Sequence, residues 1–502
     1  MSNVPNEGVA KSSMSRPDEL AGEPIKSIQI GPLTRMAYGT GGIAGGVISA
    51  GLSMFVLLYY SRVLGVSAGL VGTALAIALC FDALSDPLVG YASDKFRSRW
   101  GRRHPFMYFA ILPVSLLVYW LWNPPLELLD SQGLFIYLLC VVVSLRLLLT
   151  TFEVPSTALN PELSNDYDER TQLANYRVCA GWAASTMLAL LLYGYWLRDT
   201  PEYPDGLLNV AGYEQLGLAS AIIVLVAMLV CSIGLHSRIP SFKQPAEKRY
   251  WTVRGTLRGL MRAYSEPTLV PLLTASVLVA IAFSTSGALQ IYTFSYFWEL
   301  NSAEISGLMM AWGVGVVLGF VVTPLVSRGR DKRRVVFVML AVLALEEICF
   351  PGLRIVGLFP PTDSALYYPL IFLLTTVQMA FYLAVVAMLA SMIADVAEIR
   401  ELASGEREEG TIYSAQMLIG KTGSALGVWI AGFVLELVAF PTAVEAIAVA
   451  TETAHNLVLG LIVVCLAIYP IALVCIWRIR VSRATHRLNL EQLQLRDPVS
   501  GY

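Results

Sequence analysis

Twelve apolar runs, each close to the length that crosses a bilayer, follow one another along this chain, and they limit its fold more than any other feature. A hydrocarbon core takes about 20 consecutive apolar residues per helix. The runs lie near residues 34–62, 67–93, 104–123, 132–157, 173–196, 213–235, 267–298, 304–326, 332–352, 366–395, 410–438 and 455–481. Charged residues make up 14% of the 502 and hydrophobic ones 56%. Soluble proteins carry about 25% charge, so most of this chain faces lipid or protein. The expected fold class is an all-α membrane protein with twelve transmembrane helices.

Lysine and arginine cluster after every second run: Lys95–Arg103, Arg170–Arg177, Arg238–Arg262, Arg328–Arg334, Arg400–Arg407 and Arg478–Arg487. The other links are acidic or neutral. Under the positive-inside rule both termini are cytoplasmic, and the expected location is a plasma (bacterial inner) membrane. The predicted organisation is a tail over 1–32, a six-helix bundle over 33–235, a basic linker over 236–266, a second bundle over 267–481 and a tail over 482–502. Residues 1–30 lack the pattern of a cleavable signal. The seven cysteines all fall in apolar runs with no CxxC pair, and are read as small buried residues rather than disulfides or metal ligands. The basic residues sit in short turns, so nucleic acid is not an expected partner. The expected partners are the bilayer, a small-molecule substrate and a cation, for a monomeric chain without a cofactor.

The two sets of six echo each other. DKFRSRWGRR follows the second run and SRGRDKRR follows the eighth. Such duplication is the mark of the major facilitator architecture. Glycines recur in the first run (Gly39, Gly41, Gly42, Gly45, Gly46, Gly51) and the eleventh (Gly410, Gly420, Gly423, Gly427), as close helix packing requires.

Charges inside apolar runs are functional by default, because each costs about 2.5–3.5 kcal/mol at mid-membrane on insertion scales. Asp82 and Asp86 are one turn apart and share a helix face. Together with the hydroxyls of Thr150 and Thr151 they offer the oxygens that a hard cation needs; the same pair can share a proton. Asp82 and Asp86 are metal ligands only if the coupling ion is Na⁺. Lys421 stands in an otherwise uncharged stretch and needs an anion. Arg146, Glu346, Glu347 and Glu436 also lie in apolar runs, without an assigned role; the adjacent Glu346 and Glu347 are expected on different faces. Tyr292, Tyr296 and Tyr382 are candidates for contact with a substrate ring, as is Trp312, whereas Trp298 reads as an interface anchor.

FDALSDPLVG and SRWGRRHPF, with the first-helix start Met36 to Gly41, Tyr59–Tyr60, Val154 to Arg177, Ala394 to Glu401 and Gly420 to Gly427, occur in an order that resembles the melibiose-permease-like glycoside–pentoside–hexuronide:cation symporter family. The resemblance spans about residues 33–480. It implies a cation-coupled (Na⁺ or H⁺) symporter of a sugar or glycoside, working by alternating access, and no enzyme activity. It implies that Asp82 and Asp86 hold the cation and that Lys421 faces them from helix eleven. Glu153 matches a sugar-binding acid, with a proton site or a pairing with Arg177 as the alternatives; Arg177 matches a family arginine near the substrate. Asp395 and Glu398 resemble acids that pair with basic turns, giving an inner gate of Asp94, Arg99, Arg102, Arg103, Asp395 and Glu398. The sequence departs from the galactoside carriers at Gly46 and Thr157, where that family type has an acid and a tryptophan. A lysolipid or other amphiphile is therefore kept as the alternative substrate. No Ser-His-Asp, HExxH, P-loop or GxGxxG context supports an enzyme, and a channel would not need a lysine opposite paired acids.

Overall fold

The structure is a computed structural model that describes residues 30–164, 167–201, 203, 205–239, 269–328, 330–404, 409–441 and 449–479. Side chains are described throughout these except at 167, 168, 171, 394–404, 409–415 and 417. The linker expected over 236–266 and both tails fall almost wholly outside the described residues.

Among the described residues, twelve helices are long and apolar enough to span a membrane. They are α1 (Pro32–Val63), α2 (Ala68–Lys95), α3 (His104–Trp122), α4 (Ser131–Leu163), α5 (Gln172–Trp196), α6 (Val210–His236), α7 (Leu269–Phe297), α8 (Ser302–Ser327), α9 (Lys332–Ile355), α10 (Tyr367–Ile393), α11 (Leu418–Leu437) and α12 (Thr451–Arg478). No strand occurs among the described residues. Side-chain caps set several starts. Asp130 accepts from Gly133 N at 2.7 Å at the head of α4, and Asn301 and Glu304 close a capping box on α8.

The same five pairings recur in each set of six. In the first, α1 packs on α5 and α6, α2 on α4, and α3 on α4 and α6; in the second, α7 packs on α11 and α12, α8 on α10, and α9 on α10 and α12. The halves meet through α2 against α11 and α5 against α8, again a matched pair. The symmetry extends to helix ends: α1 and α7 both finish in a π-helical turn, Tyr59–Val63 and Thr293–Phe297. In the first of these turns, Tyr59 and Tyr60 donate to the carbonyls of Trp122 (3.1 Å) and Leu121 (2.8 Å), tying α1 to the end of α3.

Glycines decide how near α1 and α5 lie. A Cβ on Gly42 would meet the carbonyl of Arg177, and one on Gly46 the carbonyl of Gly181. Bare backbone on α1 is thus what seats α5, and with it Arg177, against the centre of the first half.

The two faces of the bundle differ. At the face opposite the termini, the halves are joined by a buried polar lock. Arg62, fully buried, reaches Tyr296 Oη at 3.4 Å and the carbonyl of Pro441 at 3.3 Å, while Tyr296 donates to Asp205 at 3.1 Å. Asp199 accepts from both Ser302 N (3.2 Å) and Ser302 Oγ (3.0 Å), placing a carboxylate on the positive end of the α8 dipole. Ser67 donates to Glu436 at 3.3 Å. At the face carrying the termini, the described ion pairs stay within one half.

The cysteines correct the sequence expectation. Cys231 and Cys465 are buried, Cys475 is partly so, but Cys80, Cys140, Cys179 and Cys349 are exposed on the outer surface. In a membrane protein the outer surface is as apolar as the core, so an apolar run does not distinguish the two. Trp298 reverses the other way. It is no exposed anchor but is buried, its ring tilted against that of Phe359 with centroids 5.0 Å apart and lying under the guanidinium of Arg354 at 5.3 Å.

Candidate transport site

A cavity of about 670 Å³ opens between the halves, walled by α1, α2, α4 and α5 on one side and α7, α8 and α11 on the other. Its first-half wall carries the charges Arg146, Glu153 and Arg177; its second-half wall is Phe283, Met309, Trp312 and small residues. Thr157, Asn160 and Ala174 line its end toward the termini.

Two prolines mark the helices that carry the acids. Pro87 follows Asp86 within α2, and Pro155 lies two residues after Glu153 in α4. Neither has an N–H to donate, so the carbonyls of Ala83 and Thr151 lose their usual helical partners beside the site.

Asp82 is buried and Asp86 half-buried. Thr150 Oγ1 stands between them, 2.9 Å from Asp82 Oδ1 and 3.2 Å from Asp86 Oδ1. Ser85 donates to Thr150 at 3.3 Å. A hydroxyl has one proton to give, so Thr150 can donate to only one of the two carboxylates at a time. Lys421 crosses from the other half to the remaining oxygens, 2.9 Å from Asp82 Oδ2 and in contact with Asp86 Oδ2. Arg146 lies 3.7 Å from Asp82 Oδ2. This pairing was not expected from the sequence, where Arg146 showed only as an expensive charge without a named anion.

Farther along the cavity, Arg177 donates to Ser156 Oγ at 2.9 Å and covers the Tyr38 ring at 5.6 Å. Its Nη1 is buried with no partner among the described residues. Glu153 makes no ion pair and no side-chain hydrogen bond there either. Acids at 82, 86 and 153 thus face bases at 146, 177 and 421, three against three.

Other sequence candidates lie elsewhere. Thr151 turns back to the Leu148 carbonyl at 2.6 Å, away from the acids. Tyr292 and Tyr296 are not in the cavity but belong to the lock on the opposite face, where Tyr292 donates to the Leu57 carbonyl at 3.2 Å. Tyr382 sits one layer behind the wall, stacked on Phe283 with centroids 3.3 Å apart. Thr157 lines the cavity, and its carbonyl accepts from Tyr38 at 3.4 Å. In the basic turn, Arg103 pairs with Asp94 at 3.1 Å and with Glu162 at 2.7 Å, and Arg102 also pairs with Glu162. Those contacts clamp the turn to the end of α4 inside its own half. Arg99 lies over Trp100 at 5.3 Å. The side chains of Asp395 and Glu398 lie outside the described residues.

Glu346 and Glu347, expected on different faces, line one smaller cavity in the second half. Neighbours on a helix are about 100° apart, and an enclosed cavity is wide enough to meet both.

Twelve helices in two like halves around a central charged cavity define a major facilitator transporter. The chain belongs to the MFS/sugar transport protein family, whose profile matches residues 37–483, and within that superfamily to the glycoside–pentoside–hexuronide:cation symporters. It is 25% identical to the inner membrane symporter YicJ of Escherichia coli (strain K12), over 94% of this chain and 96% of the relative. It is 22% identical to the isoprimeverose transporter of Lactiplantibacillus pentosus, over 80% of this chain and 79% of that one. The crystal structure of the nucleoside transporter NupG aligns with a TM-score of 0.61 at 12% identity, over 89% of this chain and all of that one; it shares the fold. The protein is a multi-pass membrane transporter and not an enzyme.

Proposed function

We propose that this chain is a cation-coupled symporter of a sugar or glycoside, with Asp82, Asp86 and Thr150 as the cation site and Glu153 and Arg177 as the substrate anchors. The observation that carries the reading is Lys421, which reaches both acids from the opposite half. A cation entering among the four carboxylate oxygens replaces the ammonium. The displaced lysine loosens one tie between the halves, so ion binding and movement of the halves are linked. The alternating-access scheme then follows: closed at one face by the Arg62–Tyr296–Asp205 lock, the halves rock about the central site.

The substrate anchors follow from polar groups left without partners. A carboxylate and a guanidinium with free valence, both facing the same cavity, accept from and donate to adjacent hydroxyls of a sugar ring, while Trp312 and Phe283 supply apolar faces across from them. One relative named an isoprimeverose transporter, and another named a putative glycoside/cation symporter, support the sugar class. The apolar lining from Leu52, Met54, Leu75, Leu79 and Val142 favours one second reading, an amphiphile with a polar head.

The test is thermal stability of the purified chain across sugars, glycosides and lysolipids, with Na⁺ or with choline, at two pH values. A ligand at a hundredfold excess over its dissociation constant adds about 2.7 kcal/mol. A sugar whose effect depends on Na⁺ or on pH supports the reading. A lysolipid response with none from sugars replaces it with the second.

A further inference from the structure

Asp82 has two bases where one would neutralise it. Both meet the same oxygen: Lys421 Nζ lies 2.9 Å and Arg146 Nη1 3.7 Å from Asp82 Oδ2. The two differ in what carries them. Lys421 comes from the second half, so it can part from Asp82 when the halves move. Arg146 comes from α4, which packs on α2 within the first half, so it travels with the acid. An ion that replaces Lys421 therefore meets a guanidinium already facing that oxygen, and the two like charges repel.

The guanidinium also belongs to the central cavity. Arg146, Thr150 and Glu153 fall at i, i+4 and i+7 of α4, on one helix face. Arg146 and Glu153 line the cavity, whereas Asp82, Asp86, Thr150 and Lys421 are not among its lining residues. Among the described residues, Arg146 is thus the side chain that both lines the cavity and pairs with an acid of the cation site. It is held loosely there. Its side chain is 15% exposed, its ion pair is longer than a hydrogen bond, and its Nε is buried without a hydrogen-bond partner. A charge placed only for stability is poorly used in this way, because apolar residues of like volume commonly serve as well as a buried ion pair.

We propose that Arg146 is a positioning residue of the cation site, acting from the cavity side: its positive charge against Asp82 holds alkali-ion affinity down. It stays on Asp82 when Lys421 leaves, and it is within reach of a sugar that fills the cavity. The proposal rests on the assignment of Asp82 and Asp86 as the cation site.

The test is the thermal stability of the purified full-length protein at pH 8 as choline is exchanged stepwise for Na⁺ at constant ionic strength, read as an apparent dissociation constant. Arg146→Met is expected to bind Na⁺ about tenfold more tightly than the unaltered chain, or saturably where the unaltered chain does not respond. Arg146→Lys, which keeps the charge, is expected to stay near the unaltered value. A gain of affinity does not arise from a damaged fold, and Arg146→Gln serves if Arg146→Met does not fold. Access is read with Arg146→Cys on a cysteine-free background, where a cationic methanethiosulfonate is expected to label the thiol and return Na⁺ binding to the weak value. No gain on removing the charge, an equal gain in Arg146→Lys, or a thiol that the reagent does not reach overturns the proposal and leaves the cation site itself standing. A gain that survives Asp82→Asn combined with Asp86→Asn places the ion elsewhere, and overturns the cation-site assignment together with the proposal.

Discussion

The two halves share a fold but handle buried charge in opposite ways. In the first half, acids and bases face one another: Asp82 and Asp86 meet Lys421 and Arg146, and Arg177 stands in the same cavity wall as Glu153. In the second half, Glu347 meets only neutral donors and Glu346 makes no ion pair among the described residues. A buried ion pair is costly to break, because removing one member leaves the other uncompensated. An acid among neutral donors has no such partner to strand. The first half is therefore built to change state when an ion arrives, since Asp82 and Asp86 are held by a lysine that can let go. The second half is built to keep its acids in place.

This contrast can be broken experimentally, and the largest effect comes first. Asp86→Asn should abolish cation-driven accumulation in proteoliposomes, a loss of a hundredfold or more, while exchange down a gradient persists slowly. Uphill transport by this variant at the normal rate would remove the cation role. Lys421→Ala strands two carboxylates, and should lower thermal stability by about 2–3 kcal/mol. The figure sits below the 3–5 kcal/mol of a fully buried pair because 30% of the lysine side chain is exposed. Adding Asp86→Asn should restore part of that loss, and a double variant no more stable than the single would show that the pairing is incidental. Glu153→Gln should weaken substrate binding by about ten- to a hundredfold, the value of a hydrogen bond to a charged group, with the cation titration unmoved. Glu346→Gln, by contrast, should change the melt in choline by less than about 1 kcal/mol; a loss as large as that of Lys421→Ala would erase the difference between the halves.

The smallest effect concerns pH and the lock. Asp205 lies between α5 and α6, and burial pushes its carboxyl up, against hydrogen bonds from Tyr296 and Leu207 N and the charge of Arg62. Once the lock opens, water returns the group to its ordinary value. A group titrating higher in the closed form favours closure when protonated, and that contribution fades as pH rises through its raised value. Acidification should therefore slow labelling of a Ser53→Cys variant, on a cysteine-free background, by a thiol reagent added from the lock side, beyond the slowing that loss of thiolate gives a freely exposed cysteine. Faster labelling at low pH would reverse the assignment.

The sequence made some of this visible and hid the rest for a physical reason. Helix number and placement were legible because a bilayer demands a fixed length of apolar chain. Asp82, Asp86 and Lys421 stood out because a charge there is expensive, and such expense calls for a partner. Facing was not legible. A soluble helix shows its buried face by contrast with its polar one, but in lipid both are apolar. Thr151, one residue from Thr150, therefore looked equally available, yet it turns to its own backbone. Tyr292 and Tyr296 looked like cavity residues for the same reason. Arg62, at the end of the first run, gave no signal that it would be fully buried under a lock built from three other segments. Arg146 was visible as a cost, but only the fold brings Asp82 to it.

Gly45 differs in kind from its neighbours on α1. A side chain at Gly42 or Gly46 would strike the backbone of α5, whereas one at Gly45 would meet only the carboxylate end of Glu153. Rigid backbone cannot yield, but the tip of a glutamate can swing aside. Of these three positions, then, only residue 45 is open to variation without prying the helices apart. A lineage changing its diet would be expected to alter residue 45 first, trading cavity space for a new contact while the scaffold around it stays intact.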